Sequence, residues 1–235
     1  MTAPAPRRTQ AERTATTRLA LLDATIEALA ELGYVGASTT EIARRAGVSR
    51  GAQLHHFPTK HDLVSAALDH GFARSEAEFR RRFSARPPSE RTQAGAVETL
   101  WETCKDPGQM AVLELLTAAR TDPELAPLAR DILQRFQAGV VATYCEVLPD
   151  AAADPFVTQR VLLALGVLQA ASLHHHLGLI DEAERLIGTL TVLADLVPLL
   201  ADPDGTLATA DRPAQAIAAA LANTQISPPT QEGAR

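Results

Sequence analysis

From Leu19 onward, apolar side chains recur at Leu19, Leu22, Ile26, Leu29 and Ala30, the spacing of one helical face. Gly33 predicts the end of that helix, as a C-cap residue does. Upstream, residues 1–17 are Thr, Ala, Pro and Arg with little apolar content, and predict a mobile arm. Ser38-Thr39-Thr40-Glu41 reads as a capping box opening a short helix that must stop at Gly47. Ser49 can cap the next helix, which Pro58 closes after Phe57. Thr59-Lys60-His61-Asp62 repeats the capping logic at the start of a long helix with the stripe Val64, Leu68, Phe72, Phe79 and Phe83. Beyond Pro87-Pro88, five more helices are predicted, over residues 89–105, 108–121, 123–147, 155–177 and 182–200, divided by Asp-Pro or Leu-Pro-Asp. The tail from Pro203 is Ala/Thr/Pro-rich, with one short helix expected over 213–222. No strand alternation occurs, so the expected fold is all-α with about nine helices.

The informative stretch is TTEIARRAGVSRGAQLHHFPTK, Thr39 to Lys60. Two short helices flank Ala46-Gly47-Val48-Ser49, and the tight turn between them suits a residue without Cβ at position 47. Ala43 keeps the crossing point small, while Ile42 and Val48 supply apolar contact. This is the pattern of a helix-turn-helix, whose second helix, Ser49 to Phe57, would enter a DNA major groove.

Composition agrees with this reading and limits it. Apolar residues make up 46% of the 235, so a sizeable core is available and disorder throughout is excluded. Net charge is −6, which argues against a protein that coats nucleic acid over its whole surface. The charge is uneven, however. Residues 1–60 hold eight Lys/Arg against five Asp/Glu, and residues 61–235 hold fourteen against twenty-three. A basic head on an acidic body fits a molecule whose head alone approaches phosphate. Cys104 and Cys145 lie far apart with no CxxC spacing, as in a reducing cytosol. The longest apolar run, Val161 to Leu168, is too short to span a bilayer, and no apolar segment directly follows Arg7-Arg8 as in a signal peptide. A cytoplasmic protein with no membrane partner is expected.

The segment Leu21 to Leu68 resembles the DNA-binding domain of the TetR family of bacterial regulators. Three features carry the resemblance: Gly33-Tyr34 ending the first helix, IARRAGVSRG in the turn, and HHFPTKHDL running into the fourth helix. It implies an N-terminal helix-turn-helix domain over 18–61, a helical ligand-binding and dimerisation domain over 62–202, a disordered arm over 1–17 and a mostly disordered tail over 203–235. By position, Thr40, Arg50, Gly51, Ala52 and Gln53 lie where family members approach base edges. Thr39, Ser49, His55, His56 and Lys60 lie where they hold phosphates. Arg50 suits a bidentate contact to guanine and Gln53 a pairing with adenine. The chain departs from the family pattern at Gln53, where Leu is usual, and at Leu54, where Tyr is usual. Their polarities predict Leu54 turned inward and Gln53 outward. Arg7, Arg8 and Arg13 are read as part of a solvated arm rather than as a minor-groove contact.

Family members enclose a ligand between the helices that here carry Trp101, Cys104, Met110, Leu113, Phe136, Val140 and Tyr144, so the resemblance implies these as candidate ligand contacts. Helices 155–177 and 182–200 are apolar nearly all round, which calls for a partner surface. A homodimer supplies it, with Ala164, Gly166 and Ala170 permitting close approach. His174-His175-His176 fan out by about 100° per residue and cannot converge on one ion, so they are read as structural near a helix C-terminus, with no metal. No Ser/His/Asp ordering, Gly-rich phosphate loop or paired carboxylates appear, and neither catalytic residues nor a cofactor are expected. The expected function is a ligand-responsive repressor, with double-stranded operator DNA and a small, hydrophobic or aromatic effector as partners. The alternatives are a DNA-binding regulator without a ligand, or a helical enzyme or lipid carrier with an incidental helix-turn-helix.

Overall fold

The computed structural model describes residues 9–200. Among them every regular element is helical: α1 (Gln10–Gly36), α2 (Thr39–Arg45), α3 (Arg50–His56), α4 (Lys60–Ala85), α5 (Gln93–Cys104), α6 (Met110–Ala119), α7 (Ala126–Val147), α8 (Val157–His176) and α9 (Ile180–Leu200). The expected tail over 203–235, its helix over 213–222, and Arg7 and Arg8 lie outside the described residues.

The expected arm is partly helix. Residues 10–17 form the first two turns of α1, because Thr9 and Glu12 close a reciprocal cap. The Glu12 N–H donates to Thr9 Oγ1 at 3.2 Å, and the Thr9 N–H donates to Glu12 Oε2 at 2.7 Å. Regular α1 geometry breaks at Gly33, whose φ of 67° is left-handed, and the Ala37 N–H closes the turn onto the Gly33 carbonyl.

The helices fall into two compact units. The first comprises residues up to Glu78 together with Lys105–Val140. Its core joins Leu21, Leu22 and Leu29 of α1, Ile42 of α2, Phe57, and Leu63, Val64 and Leu68 of α4 to Ala111, Val112 and Leu115 of α6 and Ile132 of α7. The chain boundary expected at 61/62 is therefore not a boundary between cores. α1, onto which α2 packs, runs along α6 and shares one core with it. Arg135 of α7 also ties to α4, donating to Ser65 Oγ at 3.0 Å and to Asp69 at 3.2 Å.

The second unit comprises Phe79–Cys104 and Val141 onward. α5, α8 and α9 pack through Val97, Trp101, Leu168, Ala171, Ala183, Ile187 and Leu190. Phe79 and Phe83, at the end of α4, form a smaller cluster with Ala96, against which Tyr144 packs. A methyl group on Gly95 would meet the Glu90 carbonyl oxygen at 2.1 Å, so only glycine allows α5 to approach this backbone so closely. No described helix is long and apolar enough to cross a membrane.

Candidate nucleic-acid interface

The short helices α2 and α3 cannot be stable from propensity alone; caps and burial hold them. Ser38 Oγ accepts the Glu41 N–H at 3.2 Å, and Ser49 Oγ accepts the Ala52 N–H at 3.1 Å. The box expected at Ser38 is half used, since the Glu41 carboxylate turns instead to Arg44 and Arg45. Gly47, with φ of 66°, makes the turn. Nothing lies near where its Cβ would be, so the conformation itself requires glycine. Phe57 is extended and buried before Pro58, and its N–H bonds the Gln53 carbonyl at 2.8 Å. Thr59 and Asp62 then cap α4 reciprocally, with Asp62 N–H donating to Thr59 Oγ1 at 3.0 Å.

These constraints fix the rotation of α3 about its axis. Arg50, Gly51, Leu54 and His55 are exposed, Ala52 and His56 are half-buried, and Gln53 is fully buried. This reverses the expected orientation of the pair. Gln53 is 0% exposed and donates from Nε2 to the Phe57 carbonyl at 2.9 Å, while Leu54 is 46% exposed. Gln53 therefore does not present its amide for pairing with adenine, as the sequence suggested. In a helix of seven residues, the Ser49 cap and the buried Phe57 outweigh the polarity of one side chain.

The remaining candidates occupy definite places. Thr40 is exposed on α2 and its Oγ1 accepts from Arg50 Nη1 at 3.1 Å, which pins the guanidinium at the N-terminus of α3. Thr39 is half-buried one residue earlier. Ser49 retains its hydroxyl hydrogen for an outside acceptor while its oxygen caps α3. His55 and His56 meet edge to face at 5.6 Å. Lys60 folds onto the α1–α2 corner, where Nζ donates to the Tyr34 carbonyl at 2.5 Å and lies 4.0 Å from the Tyr34 ring centroid. Burial there lowers the Lys60 pKa. Sequence reasoning gave no site role to Tyr34, which holds Lys60, or to Leu54, which is exposed beside Arg50. For Tyr34 the signal was an aromatic directly after a left-handed glycine; for Leu54 it was only the phase of a capped helix.

Two arginines of α2 are held by acids. Glu41 accepts from Arg44 Nε at 2.8 Å and from Arg45 Nε at 2.9 Å, and Arg45 also reaches Glu31 of α1 at 2.8 Å. The Arg44 and then the Arg45 hydrogen bonds hold the Glu41 carboxyl at about 2, well below its usual range. α2 thus carries its positive charge partly neutralised, whereas no acid pairs with Arg50 in these bonds.

The seven residues proposed for ligand contact are divided between the units. Met110, Leu113, Phe136 and Val140 belong to the first, where Phe136 stacks on Phe72 at 4.4 Å. Trp101, Cys104 and Tyr144 belong to the second. There Trp101 is buried, donates from Nε1 to Glu184 Oε1 at 3.3 Å, and meets the His175 ring edge-on at 5.8 Å. The Cys104 carbonyl accepts from Ser172 Oγ at 2.9 Å, and burial pushes its thiol up to about 12, far from a reactive thiolate. His176 Nδ1 lies 2.8 Å from the Ser172 carbonyl.

Known proteins share this arrangement. The model of the bacterial regulatory proteins, tetR family, matches residues 21–67. An uncharacterised helix-turn-helix-type transcriptional regulator of Mycobacterium tuberculosis is 32% identical over 158 residues, covering 67% of this chain and 80% of that protein. The helix-turn-helix-type transcriptional regulator CymR of Pseudomonas putida is 36% identical over 119 residues, 51% of this chain and 59% of CymR. The crystal structure of a transcriptional regulator from Rhodococcus superposes with a TM-score of 0.57 at 25% identity, over 75% of this chain and 95% of that one.

Proposed function

The chain belongs to the TetR family of bacterial transcriptional regulators, and we propose that it is a repressor that grips a pseudo-palindromic operator as a homodimer and lets go when a small apolar or aromatic effector binds. The observation that carries the DNA-binding part is the exposed face of α3. Arg50 stands there beside Gly51 with its guanidinium oriented by Thr40, and no bond within α2 and α3 consumes its remaining donors. A guanidinium held in this way suits the O6 and N7 of guanine. A Cβ on Gly51 would meet only Ser49 Oγ, at 3.9 Å, so the glycine leaves room for close backbone approach. Ser49, Thr39, His55, His56 and Lys60 supply donors for phosphates around that contact, which position the helix without reading sequence.

Pairing is supported by α8. Phe156, just before it, and Gln159, Leu163, Gly166, Ala170, Leu173 and Leu177 are all exposed, at alternating spacings of three and four residues. That is the repeat of a helix that packs on another helix. Leu163 is 67% and Leu177 66% exposed. A Cβ on Gly166 would meet nothing, so the packing of this chain alone gives no reason for glycine there. A second helix lying close against it does. Two copies would set two α3 helices one DNA turn apart, about 34–36 Å. The effector acts by favouring a conformation with a different spacing, which requires different affinities for the two states.

Fluorescence anisotropy on the DNA directly upstream of the protein's own gene, against a scrambled duplex over a salt series, tests this reading. Selective binding at roughly 10 nM or tighter with a steep salt slope is expected. Equal and weak binding to both duplexes, there and across a randomised duplex pool, overturns it.

A further inference from the structure

Leu54 is the one apolar side chain on the outward face of α3, 46% exposed between Arg50 and His55. A single exposed leucine is ordinary on a protein surface. This one stands in the middle of the face that carries Arg50, and the caps at Ser49 and the burial of Gln53 and Phe57 leave α3 no freedom to turn it inward. A leucine offers no hydrogen bond. Set against N7, O6 or an exocyclic amine, it strips water from a polar group and returns nothing. The major groove has one apolar feature that rewards it, the C5-methyl of thymine.

We propose that Leu54 reads a thymine methyl in each operator half-site, making it a specificity-determining residue alongside Arg50. The proposal rests on α3 being the recognition helix. Its geometry also locates the thymine. Arg50 and Leu54 are one turn apart on the same face, about 6 Å along the axis, and base steps are about 3.4 Å. The thymine therefore lies within about two base pairs of the guanine that Arg50 takes. The open space at Gly51 lets the backbone between them approach the groove closely enough for a short side chain to reach the methyl.

The test begins with a duplex selected from a randomised pool by the full-length protein. Each thymine is then replaced singly by deoxyuridine, which removes the methyl and keeps every hydrogen-bonding group. For the unaltered protein, one position per half-site should weaken binding about fourfold, the factor for losing one buried methyl-sized group. Leu54→Ala removes the contact in both half-sites at once, so it should bind the thymine duplex about sixteenfold less tightly and show no further loss on deoxyuridine. Leu54→Met, which keeps an apolar tip, should retain the dependence. Because position 54 is exposed, neither variant should alter the melting temperature by more than about a degree. Indifference of the unaltered protein to every deoxyuridine overturns the proposal while leaving the recognition-helix reading intact. So does a loss that persists unchanged in Leu54→Ala. If the pool yields no selective duplex, the recognition-helix reading falls and this proposal with it.

Discussion

The two units finish their surfaces differently. In the first, side-chain caps at Thr9, Ser38, Ser49 and Thr59 open α1 to α4, and its exposed large apolar residues, Leu19, Leu32, Val35 and Leu54, fall on two elements, α1 and α3, without a continuous helical repeat. In the second, α8 follows Phe156 with no side-chain cap and carries outward a stripe that is apolar but for Gln159. The proposed function accounts for the contrast through what each surface would meet. A surface for a polyanion is completed by donors held in place, so hydrogen bonds define it. A surface for another protein is completed by burial, so it stays apolar and gains its order from the partner.

The largest expected effect breaks that contrast at α8. Leu163→Glu places a charge in the middle of the stripe, and size-exclusion chromatography with light scattering should show a dimer for the unaltered chain and a monomer for the variant. Operator affinity should fall about a hundredfold or more, since each head must then bind without the effective concentration that its twin supplies. A dimer that survives the substitution with full operator affinity would move the interface off α8.

How much of this was readable in the sequence differs along the chain by physical cause. The turn at Gly47 and the caps at Ser49 and Thr59 are local, so they were legible residue by residue, and the limits of α8 and α9 lie within a few residues of those expected. The cap at Thr9 was equally local and was passed over because the Pro- and Arg-rich composition around it suggested an arm. What could not be read is which faces share a core. Ala111, Val112 and Leu115 carry an ordinary amphipathic pattern that does not say they pack on α1. The Gln53/Leu54 reversal has another origin. Polarity predicts the inward side of a helix only over several turns, and α3 has fewer than two.

Gln53 sharpens the comparison on the side of the first unit. Its Nε2 is bonded to the Phe57 carbonyl, but its Oε1 is buried without a partner. Gln53→Leu removes the unpaired acceptor, at the loss of one ordinary hydrogen bond, and should stabilise the protein by about 1 kcal/mol in urea unfolding. Operator affinity should stay within about twofold. A base-reading glutamine would instead cost tenfold or more when removed, so the two readings separate cleanly.

The smallest effect concerns the charges of α2. Glu41 sits on the first turn of α2, where the helix dipole favours an anion, and accepts hydrogen bonds from both Arg44 and Arg45. Its folded-state pKa is depressed to about 2 from 4.5. The sign follows from linkage. The stabilisation from this pairing is fully present above about pH 4.5 and is lost as the pH falls towards 2, because the unfolded chain takes up the proton first. The groups are solvated, so the effect is modest and should shrink in high salt. Glu41→Gln should flatten the dependence of the melting temperature on pH across this acid window and leave the neutral end little changed. The same substitution frees Arg44, whose guanidinium is exposed, for phosphate. A parallel rise in affinity for scrambled duplex, with a steeper salt slope, would show that the carboxylate restrains the head from binding DNA without regard to sequence. If neither the acid limb nor the scrambled-duplex affinity moves, the network only orders α2 and has no part in selectivity.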